Sequence, residues 1–122
     1  MFDPLSHTVI GAAIEVHRAL GPGLLESAYE RCLVHELGLR RITVARQVDL
    51  PVNYKGLALD YSYRIDLLIE DTLVVEVKAQ DQIHPVHKAQ ILSYLRFGNF
   101  RTGLLLNFHV EVMKHGIVRM VN

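Results

Sequence analysis

Three residues near the middle of the chain have the types and spacing for phosphoryl chemistry: Asp66, Glu76 and Lys78. In an extended strand alternate residues share a face, so Glu76 and Lys78 point together and Val75 and Val77 point the other way. Around Asp66 the same alternation groups Arg64, Asp66 and Leu68 on one face and Ile65, Leu67 and Ile69 on the other. If the two segments form a hairpin, Asp66 comes opposite Glu76 when the connection is odd-numbered and centred on Asp71, because directly opposed residues share one side of the sheet. A two-residue turn would set a valine against Asp66 instead. The connecting Glu70-Asp71-Thr72 contains no Asn-Gly or Gly-x pair that demands such a turn.

Two carboxylates facing each other in an apolar sheet repel and lose solvation. One lysine does not neutralise both. A hard divalent cation does, and carboxylate oxygens are the ligands that Mg²⁺ or Mn²⁺ prefers, so one of these ions is the expected cofactor. Such an ion polarises a phosphoryl oxygen and lowers the pKa of a bound water. Lys78 would orient that water or stabilise charge on the pentavalent phosphorus. The plainer reading of an isolated Glu-x-Lys is an ion pair on a solvated sheet face.

Further residues converge on the same place. On a helical wheel Glu26 falls inside the apolar arc between Leu33 and Leu37, where a carboxylate without a partner is costly. It could approach the metal directly or through water; otherwise it is a rim glutamate. His87, Gln90 and Tyr94 follow an i, i+3, i+7 spacing and share a helix face. They could bond a phosphate, Glu26 or Lys78, against a capping and surface role. Arg64, His84, Lys88 and Arg96 would form a local basic rim, with Arg40, Arg41 and Arg46 further away.

These side chains need elements to hold them. Residues 5–20 have the pattern of a helix, broken at Gly21-Pro22-Gly23. Residues 23–38 form a second, with Leu25, Ala28, Tyr29, Cys32 and Leu33 at helical spacing. Residues 42–54 alternate as a strand, with Pro51 marking an edge or bulge. A turn at Tyr54-Lys55-Gly56 leads to strands at 57–70 and 72–79, whose apolar runs predict burial on both faces. A third helix opens at His84-Pro85 and ends near Phe97, and strands follow at 102–108 and 117–121. The order ααβββαββ predicts an α/β fold with a mixed central sheet flanked by helices.

The bulk composition bounds the answer. A chain of 122 residues, half of them apolar, fits one domain spanning 1–122. No apolar run is long enough for a membrane span, and Met1–Leu5 lacks the start of a signal peptide. A single cysteine, Cys32, excludes a disulfide framework and fits a reducing cytoplasm. Seven histidines without a Cys-x-x-Cys or His-x-x-x-His pair do not build a structural zinc site. Thirteen basic residues balance thirteen acidic ones, which counts against a protein that grips a long stretch of nucleic acid. The same neutrality removes self-repulsion and leaves a homodimer open.

The residues also carry a family pattern. Gly23-Leu24-Leu25-Glu26-Ser27-Ala28-Tyr29 matches G-x-x-E-x-x-Y, and the chain resembles the GxxExxY family, a branch of the PD-(D/E)xK nuclease superfamily. The resemblance runs through Val16-His17, Gly21-Pro22-Gly23, Gln47, Pro51-Val52-x-Tyr54, Arg64-x-Asp66, Glu76-Val77-Lys78, Gln90-x-x-x-Tyr94-Leu95 and Leu106-Asn107-Phe108. Ile65 stands where the proline of the superfamily name would be, and His109-Val110-Glu111 follows where relatives tend to have glycine. The resemblance implies a PD-(D/E)xK nuclease-like fold with an αβββαβ core. It implies Asp66 and Glu76 as metal ligands, the Val77 carbonyl as a third, Lys78 as the catalytic lysine and Glu26 as a helical carboxylate near the metal. Gln90 and Tyr94 resemble the glutamine–tyrosine pair of exonuclease-like branches.

Two functions follow, with action on another phosphodiester, such as RNA or a nucleotide, left open beside them. One is a Mg²⁺-dependent nuclease acting on DNA, with Arg64, His87, Gln90 and Tyr94 supporting the substrate or the site. The other is a catalytically silent nuclease-fold module that binds protein or nucleic acid.

Overall fold

In a computed structural model the described residues are 3–60 and 63–122. Helix α1 spans Pro4–Leu20. Asp3 caps it, accepting the Leu5 N–H at 3.1 Å and the Ser6 hydroxyl at 2.6 Å, and Pro4 takes the first turn where no N–H is needed. Helix α2 spans Glu26–Leu39 and starts later than the expected residue 23. Gly23 has φ 107°, a backbone that side chains other than glycine's resist, and Leu25 is extended, so the helix cannot begin before Glu26.

Five strands build the central sheet: β1 (Val44–Leu50), β4 (Tyr63–Ile69), β5 (Leu73–Lys78), β6 (Thr102–Asn107) and β7 (Ile117–Val121), side by side in that order. Strands β1, β4 and β5 run antiparallel in sequence, β5 and β6 pair in parallel, and β7 returns antiparallel. A parallel pair needs a long crossover, supplied here by helix α3, Pro85–Gly98. This is the mixed sheet flanked by helices that the apolar pattern predicts. Gly103 lets α3 lie close on β6, since a Cβ there would stand 2.8 Å from Ile91 Cγ2.

Two strands are shorter than the sequence implies. The expected strand 42–54 stops at Leu50, because Pro51 has no N–H for the ladder. Asn53–Tyr54 (β2) and Leu57–Ala58 (β3) form a small separate ladder, turning through Lys55 at φ 49° and Gly56 at φ 89°. The expected strand 57–70 is therefore divided, and its residues 61 and 62 lie outside those described. A 3-10 turn at Met113–Gly116, unforeseen from sequence, precedes β7.

The sheet separates two apolar clusters, as expected for strands buried on both faces. Leu67, Ile69, Leu73, Val75 and Val77 pack with α1 and α2, whereas Ile65, Leu68 and Val74 pack with α3. Ile65 and Leu67 thus lie on opposite sides of the sheet although they are two residues apart. The sequence alternation around Asp66 is corrected here: β4 changes face at that residue. Directly across, β1 does the same, with Val44 on the α1–α2 side and Val48 and Leu50 on the α3 side. Between them sits Gln47, whose φ of 51° breaks the extended backbone. Among the described residues no helix is long and apolar enough to cross a membrane.

Candidate active site at the open end of the β4–β5 hairpin

The β4–β5 ladder pairs Ile69 with Leu73, Leu68 with Val74 and Leu67 with Val75. The connection is the three residues Glu70–Thr72, with Glu70 and Asp71 at φ 50° and 59° and the Thr72 N–H closing on the Ile69 carbonyl at 3.0 Å. The odd connection centred on Asp71 is the one the sequence analysis requires; the ladder ends at Leu67–Val75, and one step beyond it Asp66 and Glu76 each bond the facing strand. At that level carboxylates replace backbone carbonyls as acceptors. The Asp66 N–H donates to Glu76 Oε2 at 2.7 Å, and the Val77 N–H donates to Asp66 Oδ2 at 3.0 Å. Each carboxylate is thereby locked to the other's strand.

Burial and mutual repulsion then set their electrostatics. Glu76 is only 4% exposed. Desolvation first, and the Asp66 charge second, raise its pKa to about 8. Desolvation also raises Asp66, against the hydrogen bond from Val77. Glu26 is raised by desolvation and by Asp66 and Glu30. The positive charge opposing all three shifts is Lys78. Lys78 is half-buried on the last position of β5, where its carbonyl accepts the Phe108 N–H at 2.9 Å. Buried Asn107 beside it accepts the Gln80 N–H and donates to the Gln80 carbonyl, fixing the chain that leaves the site.

The G-x-x-E-x-x-Y stretch has a physical explanation. Tyr29 is buried, stacks on Phe108 at 4.6 Å, donates to the Gly21 carbonyl and accepts the Leu24 N–H. It ties the glycine loop down so that α2 starts with Glu26 at the carboxylates. His17, also buried, bonds the Val110 carbonyl at 2.7 Å. Glu26 shares the helix face of buried Leu33 and Leu37, as the wheel places it, but as the first residue of α2 it is exposed and not buried.

The buried helical carboxylate is Glu30, one turn on, which sequence reasoning missed. Gln47 Nε2 donates to Glu30 Oε1 at 3.0 Å, and the Gln47 amide lies close enough to Asp66 to lower its raised pKa slightly. Arg46 Nε stands 3.6 Å from the same Glu30 oxygen, so Arg46 is at the site's flank and not distant from it. In the sequence Gln47 stands out only as part of the family pattern. Its strained backbone and its reach to two carboxylates make it part of the site wall.

The other expected residues divide. Tyr94 is buried with its pKa raised to about 12, by desolvation and then by Glu76 and Asp66, so its hydroxyl belongs to the cluster. His87 and Gln90 line a cleft with Lys78. His87 Nδ1 also accepts the His84 N–H at 3.1 Å, which is the capping role, and its pKa is lowered by desolvation and by Lys78. Arg64 is not drawn in; it faces Asp49 at 3.6 Å across β1. Lys88 lines a different hollow with Asp81, Asn107 and His115. Of the expected basic rim, Arg64 and Lys88 stand apart from this cleft, whereas His84 contacts His87.

The donor set fits a divalent cation by charge: Glu26, Asp66 and Glu76 all have raised pKa values, Asp66 acting on both of the others, and Lys78 is the ammonium that opposes each shift. A carboxylate has about four lone-pair sites, so the N–H bonds to Asp66 and Glu76 leave room for coordination. Among the described residues no three or more His, Cys, Asp or Glu side chains are drawn together tightly enough to hold a metal alone.

Searches among curated proteins and among solved structures return no match. A family model of the PD-(D/E)XK nuclease superfamily matches residues 3–120. With nearly the whole chain matched, the protein belongs to the PD-(D/E)XK nuclease superfamily.

Proposed function

We propose that this protein is a divalent-metal-dependent nuclease of the GxxExxY branch, a single nuclease-like domain that hydrolyses phosphodiester bonds, with DNA as the substrate to test first. PD-(D/E)XK nucleases typically use divalent metals, and the family implies a nucleic-acid substrate. The observation that carries the reading is the exchange at the open end of the hairpin: Asp66 and Glu76 each accept the other strand's N–H, with Lys78 as their common counter-charge.

In this reading Asp66, Glu76 and the Val77 carbonyl hold Mg²⁺ or Mn²⁺, with Glu26 approaching through water. The bound ion supplies Lewis acidity to the phosphoryl group and a water acidic enough to attack at neutral pH. Lys78 donates to the attacked phosphate or holds the incoming water. Tyr94 and Gln90 orient the carboxylates and the phosphate, while Gln47 and Glu30 keep Asp66 in place. The single cysteine and zero net charge support a reducing, cytoplasmic setting and self-association as a homodimer.

The test is cleavage of single- and double-stranded DNA with Mg²⁺ or Mn²⁺. The wild-type chain cuts, and Asp66→Ala and Lys78→Ala each lower the rate by about 10²-fold or more. Cleavage surviving both substitutions would reject the assignment. Metal binding without cleavage by the wild type would favour the silent binding module instead.

A further inference from the structure

Beside the carboxylates, between α3 and the starts of β2 and β4, lies a hollow of about 280 Å³. Its walls are mostly apolar and aromatic, with Leu50, Tyr63, Tyr94 and Phe97 contributing. The Tyr63 and Tyr94 rings are 6.4 Å apart and tilted by 49°. Phe97 is 49% exposed and Tyr63 40%, so much aromatic surface stands in water at the mouth. Gln90 and Ser93 line this hollow and also line the cleft of Lys78 and His87. One stretch of α3 is therefore the shared wall of the lysine cleft and the aromatic hollow. Tyr94 joins them from below: its ring lines the hollow and its hydroxyl feels Glu76 and Asp66.

Charge decides what fits. The chain is neutral, Arg64 faces Asp49, and Lys88 lines a separate hollow. Phosphate contacts therefore supply little of the affinity for a nucleic acid. Stacking of a base on an aromatic ring supplies affinity without charge and without sequence preference. A base also has an edge that an amide and a hydroxyl can bond, as Gln90 and Ser93 offer, which an aliphatic side chain lacks. A base inside a duplex is paired and stacked, so it enters a hollow only after leaving the stack.

We propose that this hollow is a nucleobase pocket, and that the substrate is a single-stranded or frayed end whose unstacked base it seats while the adjoining phosphodiester lies at Asp66, Glu76 and Lys78. The inference rests on the nuclease reading and adds the substrate class. Fluorescence anisotropy tests it, with Ca²⁺ in place of Mg²⁺. The probes are a short oligothymidine and an abasic strand of equal length and charge. The wild-type chain binds the base-bearing strand about 10-fold more tightly than the abasic one. Phe97→Ala brings the two within about 2-fold by weakening the base-bearing strand alone, and Phe97→Trp keeps the preference. Phe97 is half exposed, so both variants are checked for folding by thermal unfolding before binding is compared. Equal binding of the two strands by the wild type overturns the pocket and leaves the nuclease reading standing. A base preference that persists in folded Phe97→Ala also overturns it, as does a hollow that instead takes a second copy of the chain, seen as a dimer that Phe97→Ala dissociates. Failure to bind either strand overturns the nuclease reading, and the pocket with it.

Discussion

The two ends of the β4–β5 hairpin use the same pair of strands for opposite purposes. At the tip, Leu67, Ile69, Leu73 and Val75 are sealed between strands and helices, 0–2% exposed, and the ladder is regular. One step past Leu67 and Val75, the acceptors become carboxylates, the strand changes face, and three acidic groups are held above their ordinary pKa. The tip gains free energy from burial; the open end spends some of it on crowded charge and a left-handed Gln47. Stability and reactivity are thus separated along one hairpin, and each end can be altered with the other as its control.

The largest effect on stability comes from the sealed end. Leu67→Ala removes a fully buried side chain next to the site and costs about 2–5 kcal/mol, measured as a lower unfolding midpoint in urea. The fraction still folded keeps its affinity for Mn²⁺. A cost below about 1 kcal/mol would mean that the tip does not carry the stability assigned to it.

The open end has a smaller effect of a different kind, visible in its pH dependence. Glu76 is raised from its ordinary 4.5 to about 8, so between these values the folded chain holds a proton that the unfolded chain has lost. Its contribution to stability is complete below about pH 4.5 and is lost as pH climbs through about 8. Asp66 and Glu26 shift in the same direction. Metal-free protein therefore melts at a lower temperature at about pH 8.5 than at about pH 5.5. Glu76→Gln flattens most of that slope and leaves the tip untouched. A steeper fall in the variant than in the wild type would contradict the assignment of the slope to Glu76.

The same contrast explains what could be foreseen from sequence. Apolar runs such as Leu67-Leu68-Ile69 and Leu73-Val74-Val75 announce buried strands whatever their partners, and the turn at Glu70-Asp71-Thr72 allows the register that sets Asp66 against Glu76. The site wall is harder to foresee. Gln47 is not a residue type that signals a left-handed backbone, so the reversal of facing in β1 and β4 leaves no trace in the alternation. A helical wheel gives the face of Glu26 but not that it opens the helix, where no preceding turn covers it; the buried carboxylate is Glu30, one turn on. Arg46 and Arg64 are indistinguishable as sequence letters. Only pairing shows that one faces Glu30 and the other Asp49.

The central claim is that Asp66 and Glu76 form a cation site with Lys78 as their common counter-charge. Calorimetric titration of Mn²⁺ into wild-type protein and Glu76→Gln tests it most directly, at about pH 8 where about half of the Glu76 carboxyl is ionised. The account predicts saturable binding to the wild type with release of protons to the buffer, and a loss of about 10-fold or more in the variant. Absence of Mn²⁺ binding by folded wild-type protein, or equal binding by Glu76→Gln, would contradict it.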